Sequence, residues 1–400
     1  PIKKWAAVAA LGGATFYLMI SGAAVPATRA YVMLASMLLA ILFDRPALSM
    51  RSVAMAATVV LLSRPESIIE PGFQMSFAAV VSLVAVAEWE RSRPFQEGRF
   101  WPLPGVRRYM RGIAITSFVG SVATAPFAAF HFDRATHYAV LGNLLAMPIM
   151  GFLTMPAAAA AVLTMPLGLD RIPLIVMGYG IESMLVVGRW VSGLPGAVSI
   201  TAAWPVSTIA LMSLGGLWVA IWRTRWRWLG ILPMAMGVAA IFTMHQPDLL
   251  IARDGRTVAI RGADGALRLL RKPSDKFSAT EWLKRDGDDR DYTATIASPR
   301  DGVRCDPDGC VVRAPDGMLI AASSRAMALA EDCARAGIVV SATPTRGFCT
   351  HPKLVIDRFD VARNGAYAVW LGEHLRVENV RETRGERPWN VWPRRLSGAQ

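Results

Sequence analysis

Residues 71–84 read PGFQMSFAAVVSLV, a run that predicts an apolar helix with two polar side chains near its beginning. The proline suits the first turn of a helix, where its missing N–H costs no hydrogen bond. Gln74 and Ser76 lie at the beginning of a segment apolar enough for lipid. Placing polar groups in lipid costs free energy, so both residues are candidates for function. Gln74 has two interpretations. It satisfies a free backbone N–H three residues back, or it lines a pathway with Phe73 and Phe77, which share one helix face.

Long apolar runs recur through the first part of the chain. The composition is 53% hydrophobic, only slightly above the about 45–50% of soluble domains, so the distribution of the apolar residues decides the class. Several runs reach the roughly 20 residues that cross a ~30 Å hydrocarbon core. Nearly uncharged runs occupy residues 5–24, 30–43, 52–63, 72–87, 112–130, 137–166, 173–188, 205–222 and 228–244.

These runs predict a polytopic α-helical membrane domain of about nine spans over residues 1–244. A small soluble α+β domain is expected over residues 245–400. A large soluble all-α core is the alternative. The chain begins at Pro1 rather than at Met, so we expect upstream sequence to be missing from the membrane domain.

The formal net charge is +13, and the basic excess lies mostly in the membrane half. Lys and Arg concentrate at residues 3–4, 88–111 and 223–227, and loops rich in these residues face the cytoplasm. With an even number of spans between these places and one span after the last, residues 245–400 lie in the periplasm. This parity requires that residues 137–166 cross once. Attraction of a polyanion is the alternative reason for the excess.

The four cysteines all lie in the soluble tail. An even number confined to one domain indicates disulfides in an oxidising compartment. We expect the pairs Cys305–Cys310, which closes the turn CDPDGC, and Cys333–Cys349. Free thiols and a metal site are the alternatives, although the spacing contains no paired C-x2-C units.

The tail has the pattern of a mixed α+β domain. Short alternating runs separated by Asp-Gly pairs indicate antiparallel hairpins. A helix is expected at 324–336, a strand at 337–341, and a further strand pair at 353–358 and 366–371. The Asp-Gly pairs are at 254–255, 264–265 and 316–317.

Catalytic signatures do not occur in the sequence. A metallohydrolase needs three or four ligands that converge on one point, but the tail contains only His245, His351 and His374, widely spaced. No GxSxG, Walker A or HExxH motif is present. We therefore expect that the chain is not an enzyme, with no catalytic residues, no metal and no cofactor.

Charged side chains within or beside the apolar runs are further candidates, because placing them in lipid is costly. Arg29 opens the second run and either serves function or extends to the interface. Asp44 and Arg45 form an adjacent pair of opposite charge at the end of that run. Glu182 needs a partner, and Arg189 lies two turns further along the same face.

Prolines and amides also interrupt the apolar runs. Pro126, Pro148 and Pro156 are of the kind that marks discontinuous helices lining a pathway in transporters. Asn143 lies within a run and is expected to hydrogen-bond across helices. Residues 131–137, HFDRATH, form either a polar vestibule or an exposed loop.

Several of these motifs occur together in one order, and in that order the chain resembles the ComEC-type competence proteins, which are inner-membrane DNA-uptake channels. The resemblance covers residues 1–244. The runs that carry it are SGAAVPATRAYVM at 21–33, FDRP at 43–46, SRPESIIEPGFQMSFAAV at 63–80, TAPFAAFHF at 124–132 and LGNLLAMP at 141–148.

The resemblance implies a multi-pass protein of the bacterial inner membrane that passes one DNA strand into the cytoplasm during natural transformation. Its partners would be single-stranded DNA, membrane lipid and other proteins of the competence machinery. The tail stands where the family carries a metallo-β-lactamase-like domain but has no metal-binding His/Asp run. The tail therefore looks like a degenerate or replaced version of that domain, and we do not expect it to be a nuclease.

The resemblance also implies which residues matter. A conduit for one strand needs cations for the phosphates and aromatic faces for the bases. The alternatives are a transporter of a small or anionic solute and a membrane scaffold or enzyme whose tail binds a periplasmic partner. The implied DNA-pathway residues are Arg29, Arg45, Phe73, Gln74, Ser76, Phe77, Phe130 and Asn143, and the structural motif positions are Asp44, Pro65, Gly72, Pro126 and Pro148.

Overall fold

The computed structural model describes residues 2–91, 104–314, 317–345, 347, 349–372, 374–385 and 387. The chain divides into two compact units. A helical unit comprises Pro1–Ser199 and Trp204–Thr243, and a second, sheet-containing unit comprises Ile200–Ala203 and Met244–Gln400. Residues 92–103, half of the basic loop 88–111 used for the orientation argument, lie outside the described residues.

The apolar runs of the first unit all form helices. Short 3-10 turns occur at Pro65–Ile69, Met165–Leu167 and Arg225–Gly230. The helices are α1 (Ile2–Ile20), α2 (Val25–Leu42), α3 (Met50–Ser63), α4 (Pro71–Arg91), α5 (Pro104–Phe132), α6 (Ala139–Ile149), α7 (Met155–Thr164), α8 (Arg171–Ser192), α9 (Val206–Ile221) and α10 (Ile231–Ile241).

Five helices in the described residues are long and apolar enough to cross a membrane. The expected count of about nine spans is not confirmed. Helices α3 and α9 have 14 and 16 residues and α10 has 11, fewer than the roughly 20 that a straight crossing needs. The five candidate spans are Val25–Leu42, Pro71–Arg91, Arg108–Phe132, Ala139–Leu167 and Arg171–Ser192.

The three prolines expected to interrupt helices differ in their effect. Helix α5 continues past Pro126 to Phe132, whereas α6 ends at Ile149, one residue after Pro148, and Pro156 lies in the first turn of α7. A π-helical turn, Met150–Thr154, follows Pro148 and joins α6 to α7. Such a turn absorbs a local mismatch in the helical hydrogen bonds. Helix α8 packs at this turn, since a side chain at Gly180 would collide with the Thr154 hydroxyl.

The segment HFDRATH contains a short strand. Strand β1 (Arg134–Thr136) pairs with β2 (Val198–Ile200) in a two-stranded sheet. The imidazole Nε2 of His137 lies 2.9 Å from the Ser199 hydroxyl. The segment is therefore a paired strand on the helical unit, with His137 and Arg134 exposed.

The second unit contains two five-stranded sheets. One has the order β12-β11-β3-β4-β5 and is antiparallel throughout; the other has the order β10-β9-β8-β7-β6, with β8, β9 and β10 parallel. The strands are β3 (Leu249–Ile251), β4 (Val258–Arg261), β5 (Leu267–Leu269), β6 (Val303–Cys305), β7 (Gly309–Arg313), β8 (Leu319–Ser323), β9 (Ile338–Ser341), β10 (Leu354–Ile356), β11 (Tyr367–Trp370) and β12 (Arg376–Asn379).

The two sheets share one core, with helices on their outer faces. Alternation along a strand places successive side chains on opposite faces. Ile338 and Val340 of β9 accordingly face the shared core, while Val339 packs with a helix. The other sheet is arranged in the same way, with Ile260 inward and Ala259 outward. Helices α11 (Lys276–Asp286) and α12 (Ala326–Arg335) pack on these outer faces. Helix α13 (Arg358–Asn364) contributes Val361 to the shared core, and α14 (Val380–Arg384) follows β12.

One sequence-based expectation for this unit is wrong. The strands expected at 353–358 and 366–371 form as β10 and β11 but do not pair. Strand β10 pairs in parallel with β9, whereas β11 pairs antiparallel with β3 in the other sheet. Helix α13 separates them, and its start is fixed by Asp357, whose carboxylate accepts from the N–H groups of Phe359 and Asp360. The hairpins at 254–255 and 264–265 do form, while Asp316 of the third lies outside the described residues.

Both cysteine pairs suggested by the sequence are bonded in the structure. Cys305 and Cys310 are directly opposite each other on β6 and β7. Cys333 of α12 is bonded to Cys349 in the loop that follows β9. The Arg271 side chain donates to the carbonyl of Gly309 at 2.7 Å and so holds the first of these turns.

Candidate functional site: a polar cluster at the start of α4

Three of the quoted motif runs meet at the N-terminal end of α4. Arg29 lies in the second turn of α2, and Gln74 in the first turn of α4. Glu70 ends the 3-10 turn that precedes α4, and His131 lies in the last turn of α5. Packing of α4 against α5 and of α2 and α4 against α3 brings these residues together. We call Arg29, Glu70, Gly72, Gln74 and His131 the polar cluster.

Gly72 leaves the space in which the Arg29 guanidinium lies. A Cβ atom at position 72 would be 2.5 Å from Nη2 of Arg29, too close for any real contact. The Arg29 side chain is 12% exposed, and its Nη1 lies 3.7 Å from Oε2 of Glu70. Within the described part of the chain, its buried Nε has no hydrogen-bond partner. Arg29 therefore keeps donor capacity that its neighbours do not use.

Gln74 is held at both ends of its amide. Its Nε2 donates to the carbonyl of Ile68 at 2.8 Å, and its Oε1 lies 2.8 Å from Nε2 of His131. The interpretation of Gln74 as a cap for an N–H three residues back is therefore wrong. Because the Ile68 carbonyl only accepts, it fixes the amide orientation. The amide oxygen then accepts from His131, which places the proton on Nε2.

The electrostatics of the polar cluster favour an anion. The N-terminus of a helix carries a partial positive charge and free N–H groups. The Arg29 guanidinium lies beside this end of α4, where its charge adds to the helix dipole. Glu70 opposes it at 3.7 Å, beyond hydrogen-bonding distance. A planar guanidinium with unused donors binds phosphate or carboxylate oxygens well.

The aromatic residues expected to line a pathway lie elsewhere. Phe73 and Phe77 are 8% and 7% exposed, with ring centroids 4.4 Å apart. They belong to a buried cluster with Ala56 and Val60 of α3. A ring that stacks on bases must be accessible, so these two rings hold α4 against α3 instead. Phe130 is half-buried and packs edge-on to His131, with centroids 4.9 Å apart.

The remaining sequence-predicted residues do not join the polar cluster. Arg45 follows the C-terminal end of α2, which is about 20 Å from Arg29 at 1.5 Å per residue, and it is exposed. Asp44 pairs with Lys4 at 2.6 Å, so its ion-pair partner is Lys4. Asn143 is exposed on α6.

Two of the structural motif positions are Pro65, which begins the 3-10 turn, and Pro126, which lies half-buried in α5. The pathway candidate Ser76 is half-buried on α4. The expected pairing of Glu182 with Arg189 does not form; both side chains are exposed, with no ion pair between them in the described chain.

Sequence reasoning did not assign Glu70 or His131 to the site. Both lie within runs already quoted, SRPESIIEPGFQMSFAAV and TAPFAAFHF, next to residues that were assigned. The signal was their position at the ends of apolar runs, where helices begin and end. Nothing in the sequence links residues 57 positions apart, as Gln74 and His131 are.

The family model described as Competence protein matches residues 1–226, which is more than half of the chain. This chain belongs to the competence protein family. A similar curated protein is ComE operon protein 3 of Bacillus subtilis (strain 168), 29% identical over 151 residues. The match covers 38% of this chain and 18% of that relative's length. No solved structure matches this competence protein.

The family match covers the helical unit from its first residue into the segment that follows α9. Together with the apolar helices, it makes the chain a membrane protein. Every residue of the polar cluster lies within the matched part of the competence protein.

Proposed function

We propose that the helical unit is a channel that conducts single-stranded DNA across the inner membrane into the cytoplasm. The observation that carries the proposal is the convergence of Arg29, Gly72, Gln74 and His131 at the positive end of α4. In this proposal the polar cluster binds backbone phosphates of the passing strand. Gly72 keeps room for the guanidinium, and the Gln74–His131 hydrogen bond fixes the end of α5 beside it.

Phosphate chemistry explains why these residue types would be used. Arg29 offers donors in a planar fork that matches two phosphate oxygens. The facing carboxylate of Glu70 reduces the net charge of the site and so lowers its affinity for phosphate. A conducting site needs an affinity weak enough for the bound group to leave. Because phosphates repeat along every strand, a site of this kind binds DNA of any base sequence.

The experiment compares DNA bound at the cell surface with DNA protected inside the cell, in a transformable host that depends on this protein. Arg29→Gln should lower internalised DNA at least about tenfold, because one charge-assisted hydrogen bond contributes ~1.5–3 kcal/mol. Surface binding should stay unchanged. Arg29→Lys should retain part of the uptake, since it keeps the charge and loses the fork.

Arg171→Gln at the exposed start of α8 is the matched control, because it removes an equal charge away from the polar cluster. Normal internalisation by Arg29→Gln at normal protein abundance would reject the channel proposal. A transporter of a small anion is the second candidate, since the same guanidinium binds such a solute. That function is supported instead if Arg29→Gln abolishes transport of a phosphate or carboxylate solute and leaves DNA uptake intact.

We also propose that residues 245–400 form a periplasmic, degenerate metallo-β-lactamase-like domain without enzymatic activity. Two disulfides support an oxidising compartment. Among the described residues, no three His, Cys, Asp or Glu side chains are grouped closely enough to hold a metal ion. Asp357, at the end of β10, uses its carboxylate to bind Thr345, Phe359 and Asp360.

This second proposal predicts that the purified full chain binds no stoichiometric zinc and leaves DNA intact. Metal analysis that finds about one or two zinc ions per chain, the number a hydrolytic site holds, would overturn it. Cysteine labelling of intact cells under reducing conditions tests the location. Modification of Cys333 by a membrane-impermeant thiol reagent is expected only if the domain is periplasmic.

A further inference from the structure

A segment rich in Trp and Arg connects α9 and α10. Residues 222–228 read WRTRWRW, and the 3-10 turn Arg225–Gly230 forms most of it. Trp and Arg alternate over a stretch too short to have a core of its own. We call residues 222–229 the Trp/Arg segment.

Close backbone packing holds the Trp/Arg segment in one shape. A Cβ atom at Gly230 would lie 2.6 Å from the carbonyl oxygen of Gly215. The backbone of the segment therefore approaches the backbone of α9 as closely as only glycine permits. The indole Nε1 of Trp218 donates to the carbonyl of Trp226 at 2.9 Å. Arg227 donates to the carbonyl of Val219 at 3.1 Å. These bonds attach the segment to the last two turns of α9.

The three arginines of the segment are not equivalent. Arg227 is half-buried and is used to bind the end of α9. Arg223 pairs with Glu88 at 2.6 Å, so its charge is balanced. Arg225 is exposed and makes no hydrogen bond or ion pair with any residue that the structure describes. Among the described residues, Arg225 is thus the arginine of the segment that neither a carboxylate nor a carbonyl engages.

Large exposed apolar side chains follow Arg225 in the sequence. Trp226 and Trp228 are 63% and 64% exposed, and Leu229 is 54% exposed. Glu88 lies in the last turn of α4, a candidate membrane span, so the Arg223–Glu88 pair places the segment level with the end of that span. Exposed indoles at this level are typical of the membrane–water interface.

We infer that the Trp/Arg segment is a binding site for the headgroup of an anionic phospholipid. Arg225 contacts the headgroup phosphate, and Trp226 and Trp228 lie at the boundary between headgroups and acyl chains. Single-stranded DNA has the same phosphate chemistry and stacks on indoles. Lipid is favoured because the segment is fixed at the end of a span and because an aliphatic side chain, Leu229, is exposed next to Trp228 in the sequence.

The test uses the full chain reconstituted in vesicles of mixed phosphatidylglycerol and phosphatidylcholine, with one or the other lipid brominated to quench indole fluorescence. The fluorescence of the unmodified chain minus that of the double variant Trp226→Phe/Trp228→Phe gives the signal of these two indoles alone. Brominated phosphatidylglycerol should quench this difference signal more, with a local preference of about fivefold, the equivalent of about 1 kcal/mol for one arginine near an anionic surface.

Arg225→Gln should remove the preference, while Arg134→Gln, an exposed arginine on β1 beyond the other end of α5, should leave it unchanged. Equal quenching by the two brominated lipids in the unmodified chain overturns the inference. Displacement of brominated phosphatidylglycerol by a thymidine oligonucleotide also overturns it and assigns the segment to DNA. Lipid quenching and oligonucleotide displacement are both measured without DNA uptake. The lipid inference can therefore be rejected while the channel proposal is retained, and the reverse.

Discussion

Nε2 of His131 lies 2.8 Å from Oε1 of Gln74, and this hydrogen bond joins the last turn of α5 to the first turn of α4. The other end of the same amide binds the carbonyl of Ile68. One side chain therefore fixes two helices and the turn that precedes them. Arg29 lies beside this junction, so the geometry of the proposed phosphate site depends on it.

The Gln74–His131 pair should behave as one unit. Gln74→Ala and His131→Ala should each lower internalised DNA, because each releases the end of α5 from α4. The double variant should lose no more than the stronger single variant, with a coupling of about 0.5–3 kcal/mol for contacting residues. DNA uptake and thermal unfolding are measured for the unmodified protein, the two single variants and the double variant, which together form a double-mutant cycle. Additive losses would mean that the two residues act separately.

Gly72→Ala should impair uptake without unfolding the protein. The added methyl would collide with the Arg29 guanidinium, which is the mobile end of a long side chain and moves away. Internalised DNA should fall severalfold while protein abundance stays constant. Gly120→Ala in α5 is the control, because nothing lies within 4 Å of its added Cβ. Equal uptake by both variants would remove Gly72 from the site.

The two disulfides should contribute unequally to the stability of the second unit. Cys333–Cys349 closes a sequence separation of 16 residues and Cys305–Cys310 one of 5. The loop-entropy relation gives about 3 and about 2 kcal/mol for these lengths. Replacing each pair by Ser and measuring hydrogen exchange of the β9 and β7 amides in the full chain compares them. A larger loss from the shorter loop would show that the entropic account fails here.

Stability of the second unit should decrease in acid through Asp357. Burial opposes its ionisation, but hydrogen bonds from Thr345, Asp360 and Phe359 keep its pKa below the ordinary value. A lowered pKa means that the stabilisation is complete above about pH 4, the ordinary value for Asp. It is lost as the pH falls through the lowered folded-state value.

Asp357→Asn should flatten this acid dependence and destabilise the unit at neutral pH by about 1–3 kcal/mol, the effect of a lost charged hydrogen bond. Denaturant unfolding between pH 3 and pH 7 measures both effects, and Asp289→Asn on an exposed loop is the control. An unchanged acid slope in Asp357→Asn would assign the dependence to other carboxylates.

Local patterns in the sequence were enough for most elements. The apolar runs became helices and the alternating runs became strands, because hydropathy and period are properties of neighbouring residues. Strand partners were not decided in this way. β10 and β11 follow one another in the chain yet belong to different sheets, since α13 turns the chain between them.

The sequence by itself determined a helical, apolar first unit, a mixed second unit, and the motif runs of a competence protein. Tertiary structure alone decided which polar residues meet. It buried Phe73 and Phe77 against α3, kept Arg45 away from the site, and added Glu70 and His131 beside Arg29. The physical reason is that hydropathy is local along the chain, whereas contact between distant residues depends on how whole helices pack.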